Sequence, residues 1–293
     1  MKKTVLCLFL VLTVCVACIS LSACNNATPQ GQLGNYFSKY EKYVYDVYDS
    51  KTSSNGIYEL EIKAFTEEKN TVELSSGFTL ENQTAGHLIT SKLTINDYTY
   101  VTACYYANVS GNTYYLPKGS YKLVEKGGNK QYDLKTTYSS DSKKGYADYV
   151  LSETGKDQQK GSLELKTPYY DNLEFYTMLR GASTMDSGFS MSYNVAIVAP
   201  NEINTATISA SCSSTEKVNG LPTNVFADGQ AESYKVTISR STKVAGLSYT
   251  VYYAKSSVKK IDDVDVRPLV RIITKIVEGD VTYTLKSVSA SNV

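Results

Sequence analysis

A mostly β, antiparallel fold with one packed helix is predicted for this 293-residue chain by three features. Short runs in which apolar and polar residues alternate recur along it, and clusters of Gly, Asn, Asp and Ser punctuate those runs. A single segment near 172–180 switches to helical spacing. The composition agrees with this picture: there are 26 tyrosines and no tryptophan, and tyrosine suits the pleated, half-buried surface of a strand.

The first element is not part of that fold. Met1-Lys2-Lys3 is a short positive region, and Thr4–Ala23 carries no charge, the pattern of a secretory signal peptide over residues 1–23. The run is also long enough to span a bilayer as a helix, and an uncleaved signal anchor is the alternative. Its end separates the two. Leu21-Ser22-Ala23-Cys24 resembles the bacterial lipobox, an aliphatic residue and two small ones before a cysteine. The resemblance implies that cleavage falls before Cys24, which carries a diacylglyceryl thioether and anchors the chain to the membrane. Two acyl chains hold where one does not, at about 0.8 kcal/mol per buried methylene. On either alternative Lys2 and Lys3 stay inside, and everything after residue 24 is expected outside the cytoplasm, on the extracytoplasmic face of the cell membrane.

Residues 24–35, polar with Pro and Gly, read as a lipidated tether. An N-terminal β part follows over 36–166. Tyr36, Tyr40 and Tyr43 have helical spacing and Tyr43–Tyr48 is rich in β-formers, so a short helix running into a strand is expected. From "GIYELEIKAF" onward the period is two, with Tyr58, Leu60, Ile62 and Ala64 on one face. The helix and its connection occupy 167–186, where Asp171 as N-cap, Glu174 three residues on, the face Phe175/Met178/Leu179 and the stop at Gly181 predict a helix over Asn172–Arg180. The C-terminal β part, 187–293, repeats the alternation at Met191/Tyr193/Val195/Ile197, Tyr234/Val236/Ile238, Leu247/Tyr249/Val251/Tyr253 and Val281/Tyr283/Leu285. Turns are expected at Ser54-Asn55-Gly56, Ser110-Gly111-Asn112, Gly127-Gly128-Asn129 and Glu278-Gly279-Asp280. Whether the two β parts are separate domains or one sheet is left open by the sequence.

The chemistry is narrow. Lys and Arg number 30 against 29 Asp and Glu, so bulk charge favours no polyanion, and nucleic acid is not an expected partner. One histidine, His87, excludes any mechanism needing two; no second ligand stands at metal spacing, and it reads as a surface or hydrogen-bonded imidazole. Ser256–Lys259 and Ser140–Lys143 match S-x-x-K, yet the K-T-G and S-D-N elements that serine enzymes of the cell envelope add are missing. Asp262, Asp263 and Asp265 lack the spacing of a calcium loop and read as a solvated acidic turn. Arg267 and Arg271 bracket "RPLVR" as an anion clamp or as charges flanking a buried strand. No catalytic residue, metal site or cofactor is predicted. With Cys7, Cys15 and Cys18 lost to the signal, Cys104 and Cys212 remain as a candidate disulfide, each in a strand-like run where cysteine also serves as a small apolar residue.

The lipobox, the tether and a largely antiparallel sheet with one helix resemble the extracytoplasmic lipoproteins of Gram-positive bacteria. More loosely, the order of elements is similar to half-barrel lipoprotein carriers of the Lol type. That second resemblance implies a strongly curved sheet, half-barrel or sandwich. The functional expectation is a non-enzymatic, membrane-anchored protein binding a protein, glycan or lipid partner at the cell surface. A structural or accessory subunit of an envelope complex is the alternative, and an envelope enzyme comes third. Tyrosine, with an apolar face and a polar tip, is the residue type most suited to such binding.

Overall fold

The computed structural model describes residues 37–66, 69–108, 115–141, 144–171, 175–182, 184–240 and 248–291. The expected signal peptide over 1–23, the Leu21–Cys24 motif and the expected tether over 24–35 lie outside the described residues.

Period-two alternation becomes strand almost everywhere. The N-terminal half contributes β1 (Tyr40–Asp49), β2 (Ser54–Phe65), β3 (Asn70–Ser75), β4 (Phe78–Gln83) and β5 (Gly86–Ile95). It continues with β6 (Tyr98–Asn108), β7 (Tyr115–Lys126), β8 (Asn129–Ser140), β9 (Lys144–Glu153) and β10 (Gln159–Lys166). Then come β11 (Tyr169–Tyr170), the one-turn helix α1 (Phe175–Met178) and a 3-10 turn (Leu179–Gly181). The C-terminal half holds β12 (Ser190–Ala199), β13 (Glu202–Asn219), β14 (Gln230–Arg240) and β15 (Ser248–Ala254). It ends with β16 (Val258–Ile261), β17 (Val264–Leu269), β18 (Ile273–Glu278) and β19 (Val281–Ser291).

Both halves build one 15-stranded sheet, in the order β10-β9-β8-β7-β6-β5-β2-β1-β19-β18-β15-β14-β13-β12-β11. Every pair is antiparallel except β11 and β12, which run parallel. The sheet rolls into a nearly closed barrel rather than a half-barrel or a sandwich, and it closes by lapping over itself. Cross-strand partners share a face. Following the registers, Leu134, Tyr138, Ala147, Leu151 and Leu163 fall on the inner face with Tyr43 and Leu60, whereas Ala196 and Val198 fall on the outer face of β12, opposite in parity to the interior Val195 and Ile197. Yet Ala196 packs with Tyr138, Ala147 and Leu165, and Val198 with Leu134 and Leu151. The inner face of β8–β10 therefore covers the outer face of β11 and β12. Gly145 makes room at this seam, because a Cβ there would lie 2.4 Å from the Tyr169 ring.

The β3–β4 hairpin covers the outer face of β6, packing Val72, Leu74 and Leu80 on Ala103, Tyr105 and Ala107. With the interior on its other side, β6 is buried continuously from Ala103 to Ala107. The rest of the outer wall is charged: Lys42 bridges Glu59 at 2.9 Å and Glu61 at 3.0 Å, and Lys286 meets Asp46 at 2.8 Å. A barrel facing lipid has the opposite polarity.

Four expectations are corrected. Of the helix expected before Tyr43, Tyr36 lies outside the described residues and residues 40–42 are strand, with Tyr43, Tyr45 and Val47 all pointing inward at period two. The turn expected at Ser54–Gly56 sits at Ser50–Ser53, and Gly56 lies inside β2, where a Cβ would come within 2.5 Å of the Thr94 carbonyl oxygen. Of the helix expected over Asn172–Arg180, residues 175–178 form one α-turn and Leu179–Gly181 continue as 3-10, with 172–174 outside the described residues. Cys104 and Cys212 both project into the core, but β5, β2, β1, β19, β18, β15 and β14 separate their strands, and the pair is unbridged. The turns at Gly127-Gly128 and Gly279-Asp280 form as read, as two-residue hairpin loops with the glycines at positive φ.

Candidate binding site

The two ends of the barrel differ because their connections differ. At the end where β1 starts, the long connections lie: the segment from Tyr170 to Phe189 that carries α1, the 220–229 loop and the β16–β17 hairpin. Phe175, Met178, Leu179 and Met185 enter the core as a plug, and Val258, Ile261, Leu269, Leu221 and Phe226 close over it. At the opposite end, two-residue loops join β5 to β6, β7 to β8, β12 to β13 and β18 to β19. The two-residue loops are too short to fold across a mouth; four residues join β1 to β2 and five join β9 to β10 at this end, and the 241–247 connection between β14 and β15 lies outside the described residues.

The sealed end holds a buried charge pair. Glu41 and Arg180 are 0% and 1% exposed as side chains, with Arg180 Nη1 donating to Glu41 Oε2 at 2.8 Å. Glu41 also accepts from Tyr43 Oη at 2.5 Å and from the Ser38 amide at 2.6 Å. Arg180 Nε donates to the Val270 carbonyl at 3.1 Å, and the guanidinium lies over the rings of Phe37 and Tyr43. Burial disfavours its charge, but the Glu41 carboxylate outweighs that and raises its pKa. Arg271 Nη1 donates to the carbonyls of Arg180 and Ala182, holding the C-terminal end of the plug. Together these bonds join β1 to the plug and to the segment before β18.

His87 belongs to the same end. It is 4% exposed, wedged between Phe37 and Tyr115 with both ring centroids 5.2 Å away, and its Nδ1 has no hydrogen-bond partner among the described residues. The surface or hydrogen-bonded imidazole expected from sequence is thus a buried one. Burial first, then the charge of Arg267, pushes its pKa down to about 4, so it is neutral.

The open end is tyrosine. On β5 and β6 the inner-face residues near the plug, His87, Ile89, Ser91, Cys104 and Tyr106, are all shut. Those on the same two faces toward the short loops, Leu93, Ile95, Tyr98, Tyr100 and Thr102, are half-exposed. Leu93 and Ile95 still pack against the core, while Tyr98 and Tyr100 are partly open. Tyr98 and Tyr100 stack with centroids 6.0 Å apart, and Lys126 lies over Tyr98 at 5.0 Å. Lys122 lies over Tyr132 at 5.7 Å. The floor is made by Tyr58, edge-on to Tyr283 at 5.5 Å, and by Tyr176 of α1, whose hydroxyl bonds that of Tyr58. Tyr253 Oη donates to the Tyr176 carbonyl at 2.7 Å and fixes that ring's position.

Glu278 sits among these rings on the inner face of β18. Burial raises its pKa, and the bond it accepts from Tyr283 and the charge of Lys122 only partly oppose this. Tyr249, Tyr283 and Tyr100 are likewise raised, first by burial. Nothing here makes a nucleophile of a phenol. The arrangement suits binding: flat ring faces, hydroxyl tips and one carboxyl inside a concave wall.

The remaining sequence motifs fall elsewhere. Ser256–Lys259 leads into β16 rather than starting a helix. Ser142 and Lys143 of the second S-x-x-K lie outside the described residues. Asp262 and Asp263, both at positive φ, are the two-residue turn between β16 and β17, and Asp262 accepts from Asn224 Nδ2 at 2.8 Å. Asp171, the expected N-cap, accepts from Tyr138 Oη at 2.6 Å across the barrel seam. Sequence reasoning missed both the Glu41–Arg180 pair and Glu278.

No protein-family model matches this chain, and no curated protein does. Among solved structures, it is similar to a β-barrel-like protein of the DUF1849 domain of unknown function from Brucella abortus. The similarity has a TM-score of 0.48 and 11% identity, covering 88% of this chain and 100% of that one.

Proposed function

We propose that the chain is a non-enzymatic, lipid-anchored binding protein of the extracytoplasmic membrane face, holding its partner in the tyrosine-lined open end of the barrel. The observation carrying this reading is the contrast along β5 and β6. One strand pair presents the same inner face, shut where the plug fills the barrel and half-exposed where tyrosines line it. A barrel that served only as a spacer has no need of one unfilled end, since an open aromatic face forfeits packing that a core would supply. The anchor rests on the resemblance of Leu21-Ser22-Ala23-Cys24 to a lipobox.

Two experiments test the two parts. A photo-crosslinking phenylalanine analogue in place of Tyr100 should give a discrete adduct in intact cells, whereas the same analogue at Tyr146, on the outside of β9, should not. Equal labelling from both positions removes the binding role from the mouth. Separately, Cys24→Ser should abolish incorporation of radiolabelled palmitate and release the chain from the membrane fraction; unchanged labelling refutes the anchor.

A further inference from the structure

The geometry points to a neutral, polyhydroxylated ligand for the open end, a short oligosaccharide segment rather than an acyl chain; this inference rests on the binding reading above. Three observations carry it. First, the aromatic groups on the inner face of the mouth are phenols, set among Leu93, Ile95 and Thr102. Tyr98 and Tyr100 are stacked and half-exposed, offering a flat apolar face with hydroxyls at the edge. A pyranose has the same two-sided character, with C–H groups on one face and hydroxyls around the rim. Against an acyl chain, the phenol hydroxyls still open to water at the mouth, such as that of Tyr100, would lose it without gaining a partner.

Second, the mouth is shallow. Below Tyr58 and Tyr176 the barrel is filled by Tyr45, Tyr253, Phe175 and Leu179, which leave no apolar shaft for a lipid tail among the described residues. The half-exposed inner face of β6 runs only from Tyr98 to Thr102, roughly 13 Å at the rise of a strand. Third, lysines and carboxylates mix at the mouth, where the charge of Lys122 acts on Glu278 and that of Asp97 on Lys126, so the field selects neither a polyanion nor a polycation.

The experiment uses the full-length chain in lipid nanodiscs, labelled with 3-fluorotyrosine and read by fluorine NMR, with Tyr98→Phe and Tyr100→Phe assigning two mouth resonances. The probes are chitohexaose, cellohexaose and maltohexaose on one side, and lysophosphatidylcholine and palmitate on the other. The expected result is a saturable shift of both mouth resonances with at least one oligosaccharide, weakened tenfold or more by Tyr100→Ala at unchanged melting temperature. A shift of those resonances only with lysophosphatidylcholine or palmitate overturns the sugar inference and leaves the mouth as a binding site. No shift with any of the five probes overturns the sugar inference and counts against the mouth as well. Should Tyr100→Ala lower the melting temperature, Lys126→Gln at the rim supplies the second affinity measurement.

Discussion

His87 gives the sharpest test of the sealed end, because it is the chain's single histidine and its titration has no competitor of its own kind. The perturbation is a fall in pH. In the unfolded chain the imidazole titrates near 6.5, whereas in the barrel burial and Arg267 hold its pKa down to about 4. The folded state therefore binds fewer protons than the unfolded state between those values. Its contribution to stability is fully present above pH 6.5 and is lost as pH falls toward 4. At 1.36 kcal/mol per pH unit, complete loss amounts to about 3 kcal/mol. Urea unfolding from pH 8 down to pH ~4.5 reads this as a slope approaching one proton. His87→Phe, which keeps a ring between Phe37 and Tyr115, should flatten that slope even if its own stability differs. Carboxylates with depressed pKa values, such as Glu202 and Glu216, add their losses further toward acid and do so equally in both proteins. An imidazole proton resonance titrating near 6.5 in the folded protein would refute the burial argument, as would equal slopes in wild type and variant.

Three more outcomes follow from particular contacts. Arg180→Met leaves the buried Glu41 without its ion-pair partner, and should cost about 3–5 kcal/mol by denaturant titration; the double variant Glu41→Gln/Arg180→Met should recover a large part, and strict additivity would deny the pair. Gly145→Ala pushes a methyl into the Tyr169 ring and should destabilise by about 1–3 kcal/mol, with faster amide exchange in β9 and β10; a neutral effect would mean that the seam is not packed as described. Glu278 has a raised pKa, so its contribution to stability is fully present below the ordinary carboxylate range and declines as pH rises through the raised value. Glu278→Gln should remove that decline, seen as a smaller fall in melting temperature from acid to neutral pH; an identical fall in both proteins would refute it.

What was legible in the sequence was what a strand shows locally. Alternation marked β2, β12, β15 and β19, and paired turn residues marked the loops at Gly127-Gly128 and Gly279-Asp280. Gly56 misled because Asn-Gly is a strong turn signal, whereas the glycine is needed for close approach of β5. The lapped closure was legible only in part. "ACYYA" in β6 and "VAIV" in β12 break the alternation with continuous apolar runs, the mark of strands covered on both faces. What covers each face is set by register across the sheet and is not written near either run. Glu41 and Arg180 stand 139 residues apart, and no local pattern joins them. The tyrosines gave the residue type of the candidate site but not its place, because core, seam and mouth all use tyrosine; only the pairing of Ile95 with Tyr98 and of Glu278 with Tyr249 sorts them.

The placement of the two ends acquires a consequence when joined to the lipobox reading. The charged outer wall suits water, so on the lipobox reading any membrane contact would fall to the segment before the barrel. The described chain starts at Phe37, packed under Arg180 at the sealed end, and β1 runs from there toward the mouth. An anchor at Cys24 would be joined to Phe37 by residues 25–36, which can reach at most roughly 40 Å fully extended. On that reading the tether would leave the barrel from its plugged end, away from the tyrosines. Such a polarity favours a ligand that arrives from outside the membrane over one extracted from it, which is the direction the phenol-lined, shallow mouth suggests on chemical grounds alone.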